Sequence, residues 1–251
     1  MFALPVSGAR VALKRPDGVD DLRLVEATGD ATEIALALIE ALSQGAIDAH
    51  KLVVTDFEWL LMQMRAERFG RKMALGFVCP HCAAKAEIEF RVEDCLEAAT
   101  PRQVAGVEAD EERPGWLRLG AIQFRLPTAG DQIAVLSTPR PMERIAELCL
   151  DPSARKLPQR TRAERAMAEM APLVSRSLPA ACPACKGDVP VAFHVAGLVV
   201  GEWRRAASAA HDEIDLIARA YHWSEAEILA LPQSRRRAYA ERIRGASARA
   251  A

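Results

Sequence analysis

The stretch GFVCPHCAAKAEIEF at residues 76–90 has a counterpart in LPAACPACKGDVPVAF at residues 178–193. Each stretch places a C-P-x-C turn between two runs that resemble β-strands. The two-residue gap lets both sulfurs of a turn point at one ion, and two such turns supply the four thiolates of a closed structural zinc site. We therefore expect two hairpins that share one structural zinc ion. The predicted ligands are Cys79, Cys82, Cys182 and Cys185.

The cysteine pairs also admit other interpretations. They could be two unrelated pairs, or redox motifs of the thioredoxin type, although such a motif belongs at the start of a helix that follows a strand. His81 could replace a cysteine as ligand, but an exposed loop histidine is the preferred interpretation. The glycine that usually follows such a turn is Ala83 in the first copy, and in the second copy Gly187 comes only after Lys186. Cys95 and Cys149 lie outside the two pairs. We expect both to be small buried hydrophobic residues.

The length of the chain bounds its domain organisation. A chain of 251 residues forms one large domain or two small ones and buries a sizeable core without a metal. A long insertion between the cysteine pairs is tolerable, because the entropy of loop closure rises only logarithmically with length. We expect an α+β fold with a four-cysteine zinc-ribbon-like β module, a long mixed hairpin and helical insertion, and a helical C-terminal segment. The predicted domains are 1–50 (N-terminal β-hairpin and helix), 51–92 plus 178–197 (helix and split zinc ribbon), 93–177 (the insertion, with hairpin 116–127 plus helices) and 198–251 (C-terminal helical segment with a basic tail).

Turn and cap residues outline the N-terminal region. Residues 8–15 and 22–27 are predicted to form a short strand pair around the turn RPDGVDD. Asp30 is expected to cap the next helix, and Gly45 is expected to end it.

A stronger helical pattern covers residues 55–70. Thr55 and Glu58 have the spacing of a capping box, and Gly70 lies at the predicted helix exit. Residues 72–92 then alternate as two strands around the first cysteine turn. The expected apolar face of the helix comprises Phe57, Leu60, Leu61, Met64 and Phe69.

The predicted insertion contains a loop, a hairpin and helices. Residues 100–115 are polar and turn-rich, and we expect a loop there. Residues 116–127 are predicted to form a hairpin with Gly120 near its turn. The segments that follow are helical in composition, and prolines punctuate them. They are TAGDQIAVLS (128–137), PMERIAELCL (141–150) and RAERAMAEMAPLVSRSL (162–178).

Composition and motifs argue against several classes of protein. The formal net charge is −1, so no global attraction to nucleic acid or to an acidic membrane surface is present. The longest apolar stretch, residues 189–201, is too short to cross a bilayer, and we expect a cytoplasmic protein without a membrane partner. Phosphate-binding loops, G-x-S-x-G and H-E-x-x-H are absent from the sequence, so we expect no enzyme. His211 with Asp212, Glu213 and Asp215 is expected to form a solvated helix face.

The chain from Leu198 onwards is predicted to be helical, with Ser224 and Glu227 at capping-box spacing. Residues 232–251 carry six arginines against Glu241. This basic tail could contact phosphates or an acidic partner, or it could simply be a solvated helix end. Nucleic acid is a possible partner but is not favoured, because aromatic residues for base stacking are scarce. The candidate partner-binding residues are Tyr221, Trp223, Ile228, Leu229, Arg235, Arg236 and Arg237; the apolar ones among them could instead form an intramolecular core.

The ordered set of motifs resembles a known family. The passages DFEWLLMQMRAERFGRKMALGFVCPHC, FRLPTAGDQIAVL and CPAC are similar to those of the T-even phage baseplate hub assembly chaperone family and related proteins of contractile-tail or tail-like injection clusters. The ending IARAYHWSEAEILALPQSRRRAYAERI resembles the YGWS-x-x-E-I-L-x-L … RR-x-Y ending of small tail-cluster proteins, with His222 in place of glycine.

The resemblance covers most of residues 50–245. It implies a role in baseplate or hub assembly, with baseplate or hub proteins as partners and a location in the cytoplasm or in an assembled virion or tail-like particle. It does not separate a transient chaperone from a permanent subunit. The alternative function is a zinc-ribbon nucleic-acid-binding or regulatory protein that uses the arginine-rich C-terminus.

Overall fold

The computed structural model describes residues 1–156 and 158–250, and it describes side chains only as far as residue 246. Leu157 and Ala251 belong to two of the predicted domains but lie outside the described residues, and the side chain of Arg249 in the basic tail is not described either. Backbone contacts divide the chain into two units. Unit 1 comprises Met1–Val11 and Asp48–Leu198, and unit 2 comprises Ala12–Ile47 and Val199–Ala251.

Unit 1 combines small antiparallel sheets with helices. Its strands are β1 (Phe2–Ala3), β2 (Arg10–Val11), β3 (Lys72–Val78), β4 (Lys85–Arg91), β5 (Val107–Ala109), β6 (Leu117–Leu119), β7 (Ile122–Phe124), β8 (Arg176–Ala181) and β9 (Asp188–Phe193). Short 3₁₀ turns lie at Ala49–Lys51 and Pro152–Ala154. We number the helices of the whole chain in order, so that those of unit 1 follow two helices of unit 2. They are α3 (Val54–Phe69), α4 (Val92–Ala98), α5 (Ala129–Val135), α6 (Pro141–Cys149) and α7 (Gln159–Met170).

Unit 2 is helical within the described residues. Its elements come from both ends of the chain: α1 (Gly18–Glu26), α2 (Ala31–Leu42), α9 (Ala210–Tyr221), α10 (Glu225–Leu229) and α11 (Gln233–Ala250). Helix α8 (Val195–Ala207) begins in unit 1 and continues into unit 2. The mixed α and β fold, with small sheets and a helical C-terminus, confirms the predicted fold class at this level.

The core of unit 1 is built around α3. This helix is buried on most sides, and Phe57, Leu60, Leu61 and Met64 are buried as the sequence predicts, whereas Phe69 is half-buried. A second apolar cluster packs the hairpin β6–β7 against α6 and α7. Its buried members include Ile122, Phe124, Ala146, Leu150, Ala163 and Met167.

The two cysteine-bearing hairpins have regular antiparallel registers. In β3–β4, Lys72 pairs with Arg91 and Val78 with Lys85, so the turn occupies residues 79–84. In β8–β9, the six pairs run from Arg176 opposite Phe193 to Ala181 opposite Asp188, so the turn occupies residues 182–187. Both strand–turn–strand predictions are confirmed.

The predicted strand at 22–27 is wrong, because residues 18–26 form α1. The side chain of Asp17 accepts hydrogen bonds from the N–H groups of Val19 and Asp20, and the Asp20 carboxylate accepts one from the Asp17 N–H. This capping box starts a helix in the segment that was expected to be a turn. The N-terminal hairpin does exist, but it pairs β1 with β2 instead, with Phe2 opposite Val11.

The helix of residues 55–70 is confirmed, but its predicted cap is wrong. The helix begins at Val54 with no capping side chain. Its first N–H donates instead to the Pro127 carbonyl at 3.0 Å. Thr55 and Glu58 lie within the helix and contact a different segment, described below. The caps predicted at Asp30 and Ser224 are both present.

Two other local predictions need correction. The loop expected over 100–115 contains β5, because Val107 pairs with Leu119 and packs on the apolar cluster around β6 and β7. The helix expected over 162–178 ends at Met170, and β8 begins at residue 176. Pro172 explains this end, since proline lacks an N–H group and disfavours helical backbone at the residue before it.

Candidate metal centre

The tips of the two hairpins bring four cysteines of unit 1 together. All four sulfurs, those of Cys79, Cys82, Cys182 and Cys185, lie within 4.8 Å of one another. The sulfurs of Cys79 and Cys185 are 3.7 Å apart, and so are those of Cys82 and Cys182. These cysteines are free thiols, because a disulfide needs a sulfur separation of about 2.05 Å.

The sulfur separations fit a tetrahedral metal site. A metal ion with metal–sulfur bonds of about 2.3 Å places the corners of a regular tetrahedron about 3.8 Å apart. The observed 3.7 Å between sulfurs of opposite hairpins is close to that edge. A set of four thiolates is typical of zinc or of iron–sulfur sites. The four cysteines could therefore hold one metal ion without a large rearrangement.

The two turns match each other bond for bond. The N–H of Cys79 donates to the Ala84 carbonyl, and the N–H of Ala83 donates to the Cys79 carbonyl, both at 2.9 Å. In the second turn, the N–H of Cys182 donates to Gly187 and that of Lys186 to Cys182, again at 2.9 Å. The first cysteine of each turn is buried and the second is exposed. Each close sulfur contact therefore joins a buried cysteine of one hairpin to an exposed cysteine of the other.

Backbone N–H groups favour the thiolate form at the buried end of the site. The N–H groups of Cys185 and Ala184 donate to the sulfur of Cys182, and these bonds lower the pKa of Cys182 to about 6. The sulfur of Cys82 receives a hydrogen bond from the Ala84 N–H, which lowers its pKa, but the neighbouring cysteines and burial outweigh this effect. The pKa of Cys82 is therefore raised to about 12. Of these two thiols, Cys182 therefore loses its proton first.

The residue after the second cysteine of each turn adopts left-handed backbone. Ala83 has φ 58° and Lys186 has φ 61°. Glycine is favoured in this backbone conformation, but the sequence has alanine and lysine at these two positions. Gly187 has another role. A Cβ atom there would lie 2.9 Å from Cδ2 of His81, so the glycine leaves room for that ring.

His81 links the two hairpins but does not belong to the cysteine cluster. It is exposed, and its Nε2 lies 3.2 Å from the Asp188 carbonyl of the other hairpin. Behind the cysteines, apolar residues of both hairpins pack together. Around Cys79 and Cys182 these are Leu75, Phe77, Ala84, Ile88, Ala180, Val189 and Val191. Cys95 and Cys149 are buried away from the cluster, as expected.

Helix α3 positions the first hairpin. The guanidinium of Arg65 is 5% exposed and donates to the carbonyls of Gly70 and Lys72. Gly70 directly follows α3, and Lys72 is the first residue of β3. Gly70 has φ 86° and ψ 178°, a conformation that favours glycine, and the helix ends there. The buried arginine therefore fixes the direction in which β3 leaves the helix.

Helix α3 also positions the second hairpin. The Glu58 carboxylate, 3% exposed, accepts hydrogen bonds from the N–H groups of Val174 and Ser175 at 2.8 and 3.0 Å. Thr55 Oγ1 donates to the Pro172 carbonyl at 3.0 Å. Burial raises the pKa of Glu58 more strongly than these hydrogen bonds lower it. One helix therefore holds the segments that lead into β3 and β8, and this brings the two cysteine turns to the same place.

The stretch LPTAGD (residues 126–131), part of the family-like passage FRLPTAGDQIAVL, has a clear structural role in unit 1. Thr128 caps α5, and the Asp131 carboxylate accepts two hydrogen bonds from Arg125, at 2.6 and 2.7 Å. Pro127 contributes the carbonyl that receives the first N–H of α3. Gly130 lies so close to the backbone of His50 that a Cβ atom would be 2.9 Å from the His50 carbonyl oxygen. The stretch therefore joins the insertion to the start of the helix that carries both hairpins.

The candidate partner-binding residues of unit 2 occupy different environments. Ile228 is 0% exposed and Leu229 8%, so these two belong to the core of unit 2. Tyr221 is 38% exposed, and Trp223 is half-buried. Arg235 and Arg237 are exposed.

Arg236 differs from the expectation for the basic tail. Its side chain is fully buried, with Nη2 2.6 Å from the Asp21 carboxylate and Nε 3.4 Å from that of Glu213. Glu213 is also buried, so the prediction of a solvated face is wrong for this residue, although His211, Asp212 and Asp215 are exposed. Gly18 makes room for this cluster. A Cβ atom there would lie 2.6 Å from Nη1 of Arg236.

Tyr239 was not among the predicted partner-binding residues. Its ring lies 5.6 Å from that of Tyr221 and 5.2 Å from that of Trp223, between ring centres. Its place four residues after Arg235 on the same helix was the only signal in the sequence.

Comparison with known proteins gives one match. The family model described as "T4 bacteriophage base plate protein" matches residues 3–151, more than half of the chain. No curated protein and no solved structure matches the chain. The matched range contains the first cysteine turn. It ends before the second cysteine turn, which lies at residues 182–187.

Proposed function

The chain belongs to the T4 bacteriophage base plate protein family, and from this premise we propose that it is a non-enzymatic protein–protein interaction protein of a contractile phage tail or tail-like particle. It acts as a baseplate or hub assembly chaperone or as a component of the baseplate. One zinc ion, bound by the four cysteines at the hairpin tips, stabilises it. The family match is the observation that carries this proposal, and the sulfur geometry supports the metal.

Zinc is the metal that the site supports best. Four thiolates at tetrahedral spacing complete the coordination of zinc and leave no position for a substrate. The ion would therefore join the two hairpins, and it would do no chemistry. A four-thiolate iron–sulfur centre has the same ligands but absorbs visible light, so the two cases are separable.

The metal is tested on the purified full-length protein. Elemental analysis should return one zinc per chain, with no visible absorbance from iron–sulfur charge transfer. Zinc well below one equivalent after expression in zinc-supplemented medium would contradict the stabilising role of the metal. It would leave the baseplate role untouched.

The baseplate role is tested with partners. Baseplate proteins encoded beside this chain, produced together with it, should co-purify with it as a defined complex. Chaperone and permanent subunit are then separated by mass spectrometry of finished particles, which should contain the chain only if it is a subunit. Failure to bind any of these proteins would count against the proposal.

The location follows the same family. A baseplate protein is assembled in the cytoplasm or stays attached to the virion tail. No helix among the described residues is long and apolar enough to span a membrane.

A second candidate function is a zinc-ribbon nucleic-acid-binding or regulatory protein. The exposed arginines of α11 favour it, since arginines contact phosphates. The burial of Arg236 between two carboxylates weakens it, because that charge is neutralised within the protein. Salt-sensitive DNA or RNA binding that depends on residues 232–251 would support this alternative.

A further inference from the structure

Helix α11 carries arginines of two kinds on its exposed surface. Arg236 and Ala240 are buried and define the inward side of the helix. Arg235 and Arg242 lie four residues before and three residues after Tyr239, so these three share one face. Both arginines are exposed, and Tyr239 is half-buried. We call this face the Tyr239 stripe.

The Tyr239 stripe is continuous with two aromatic residues at the end of α9. The rings of Tyr221 and Trp223 are stacked with 5.2 Å between their centres, and the Tyr239 ring meets both of them edge-on. Tyr221 keeps 38% of its surface exposed although it makes both contacts. The result is an aromatic–arginine patch on unit 2. It consists of Tyr221, Trp223, Arg235, Tyr239 and Arg242.

The arginines on the opposite flank of α11 act electrostatically on a carboxylate inside the protein. Arg237 and Arg244 are one heptad apart. Burial raises the pKa of Glu213, and the charges of Arg236, Arg237 and Arg244 offset part of this rise. They therefore help to balance a carboxylate of their own unit. In the described part of the chain, none of these four arginines, Arg235, Arg237, Arg242 and Arg244, forms an ion pair with an acidic side chain. The two flanks thus carry equal charge, but Tyr239 and the rings that it contacts lie on the flank of Arg235 and Arg242.

We infer that the aromatic–arginine patch is the docking surface for an acidic segment of a baseplate protein. This inference rests on the proposed function and specifies the surface and chemistry of the contact. Two arginines without internal partners are complementary to carboxylates. In the docked segment, these carboxylates would lie on both sides of an apolar side chain that packs on the rings. Tyrosine, tryptophan and arginine are the residues that most often dominate binding energy at protein interfaces.

The arrangement of the rings favours a protein partner over nucleic acid. Base stacking needs a free ring face. Here Tyr221 and Trp223 are close to parallel, at 28°, so each covers one face of the other. Tyr239 stands at 69° and 83° to them and packs against them. The cluster therefore offers edges and partial faces, which suit contact with side chains.

The test compares two charge reversals in the full-length protein. The variant R235E/R242E changes the patch, and the matched control R237E/R244E changes the same number of arginines on the other flank of α11. The probes are the baseplate proteins encoded beside this chain, each purified singly, and a single-stranded DNA 30-mer. Dissociation constants are measured by biolayer interferometry at low and at physiological salt, and circular dichroism melts show that both variants are folded.

We expect R235E/R242E to weaken binding of a baseplate protein by about tenfold or more, and to do so more strongly at low salt. The control should change the dissociation constant by no more than about twofold.

Equal effects of the two variants, or no effect of R235E/R242E on a complex that the wild type forms, would overturn the patch while leaving the proposed function intact. If no baseplate protein binds the wild type, the proposed function fails and the patch with it. Tight DNA binding lost only in R235E/R242E would assign the patch to nucleic acid instead. Should the reversals unfold the protein, R235Q/R242Q and R237Q/R244Q repeat the comparison with smaller changes.

Discussion

The cysteine cluster of unit 1 and the buried Arg236 cluster of unit 2 both connect distant parts of the chain, but they do so by different chemistry. Each joins an early part of the chain to a late part. The cysteines join β3–β4 to β8–β9, and Arg236 on α11 joins Asp21 on α1 to Glu213 on α9. In unit 2, two carboxylates are brought together around a cation, and the proposed zinc ion would take the same place among the four cysteines.

The difference lies in how completely each cation is part of the protein. The cation of unit 2 is a side chain, so it is present whenever the chain folds. The cation proposed for unit 1 must come from solution, and without it the four thiols can share only a limited negative charge. We therefore expect a chelator to lower the stability of unit 1. Unit 2 should lose stability only through mutation of its buried cluster. The following predictions test that contrast.

Loss of a cysteine should have the largest effect. Cys82→Ser and Cys185→Ser should each abolish stoichiometric zinc and destabilise the hairpin pair by several kcal/mol, because structural zinc sites contribute on the order of 10 kcal/mol in small domains. The double variant should be little worse than either single variant, since both remove the same site. Zinc content and chemical denaturation measure these effects.

The control for the cysteine variants is Cys95→Ser, which changes a buried cysteine outside the cluster. It should keep one zinc per chain even where it lowers stability. Additive effects of Cys82→Ser and Cys185→Ser would mean that the two turns serve separate sites.

Removal of the buried arginine should have the next largest effect. Arg236→Met leaves Asp21 and Glu213 buried without their cation and should destabilise unit 2 by about 3–5 kcal/mol. Zinc content should stay at one per chain, since the cysteines belong to unit 1. Thermal melts and elemental analysis on the same sample check both expectations.

Arg235→Met is the matched control, because it removes a neighbouring arginine that is exposed and lies on the other flank of α11. It should change stability by about 0.5 kcal/mol or less. Adding Asp21→Asn and Glu213→Gln to Arg236→Met should recover part of the lost stability, since the uncompensated charges are then gone. If Arg236→Met is as mild as its control, the buried cluster does not hold unit 2 together.

The two clusters also differ in how far they were predictable from the sequence. A repeated C-P-x-C with strands on both sides is a local pattern, and it identified all four cysteines that meet. Asp21, Glu213 and Arg236 share no spacing, and an arginine in a basic run resembles its exposed neighbours until the fold is known. Whether such a residue is buried is decided by packing between distant segments, which composition and periodicity do not contain.

Helix caps show the same limit on a smaller scale. The boxes at Asp30 and Ser224 were predictable, because cap and helix are adjacent in sequence. Thr55 and Glu58 have the same spacing but bond to residues 172–175 of the chain, so tertiary contacts outweighed the local pattern. The box at Asp17 was missed, because the apolar alternation that follows it is typical of a strand.

The carboxylate of Glu58 gives unit 1 a dependence on pH. Burial raises the pKa of Glu58 in the folded protein above its ordinary value of 4.5. The stabilising contribution is therefore fully present below pH 4.5 and is lost as pH rises through the folded pKa, where a buried charge forms. Glu58→Gln should flatten this part of the stability–pH curve while its amide oxygen still accepts hydrogen bonds from Val174 and Ser175.

Glu58→Ala is the contrasting variant, since it leaves those two N–H groups without their acceptor. It should destabilise the protein by about 1–3 kcal/mol at every pH and disturb the entry to β8. Urea denaturation from pH 4 to pH 8 compares the two variants. Identical pH dependence in wild type and Glu58→Gln would show that Glu58 does not ionise in this range.

The smallest expected effect concerns the left-handed residues of the two cysteine turns. Ala83 and Lys186 carry side chains at φ 58° and 61°, a conformation that disfavours any residue with a Cβ atom by about 1–2 kcal/mol. Ala83→Gly and Lys186→Gly should each stabilise the protein by about 0.5–1 kcal/mol, because part of that gain is offset by the greater freedom of glycine in the unfolded chain. His222→Gly tests the same conformation in unit 2, where φ is 57°. If metal binding fixes the turns, the two unit 1 variants should also raise zinc affinity, measured by competition with a chelator, whereas His222→Gly should leave it unchanged. Equal zinc affinity in all three variants would show that the turns are already held by their hairpins before the metal binds.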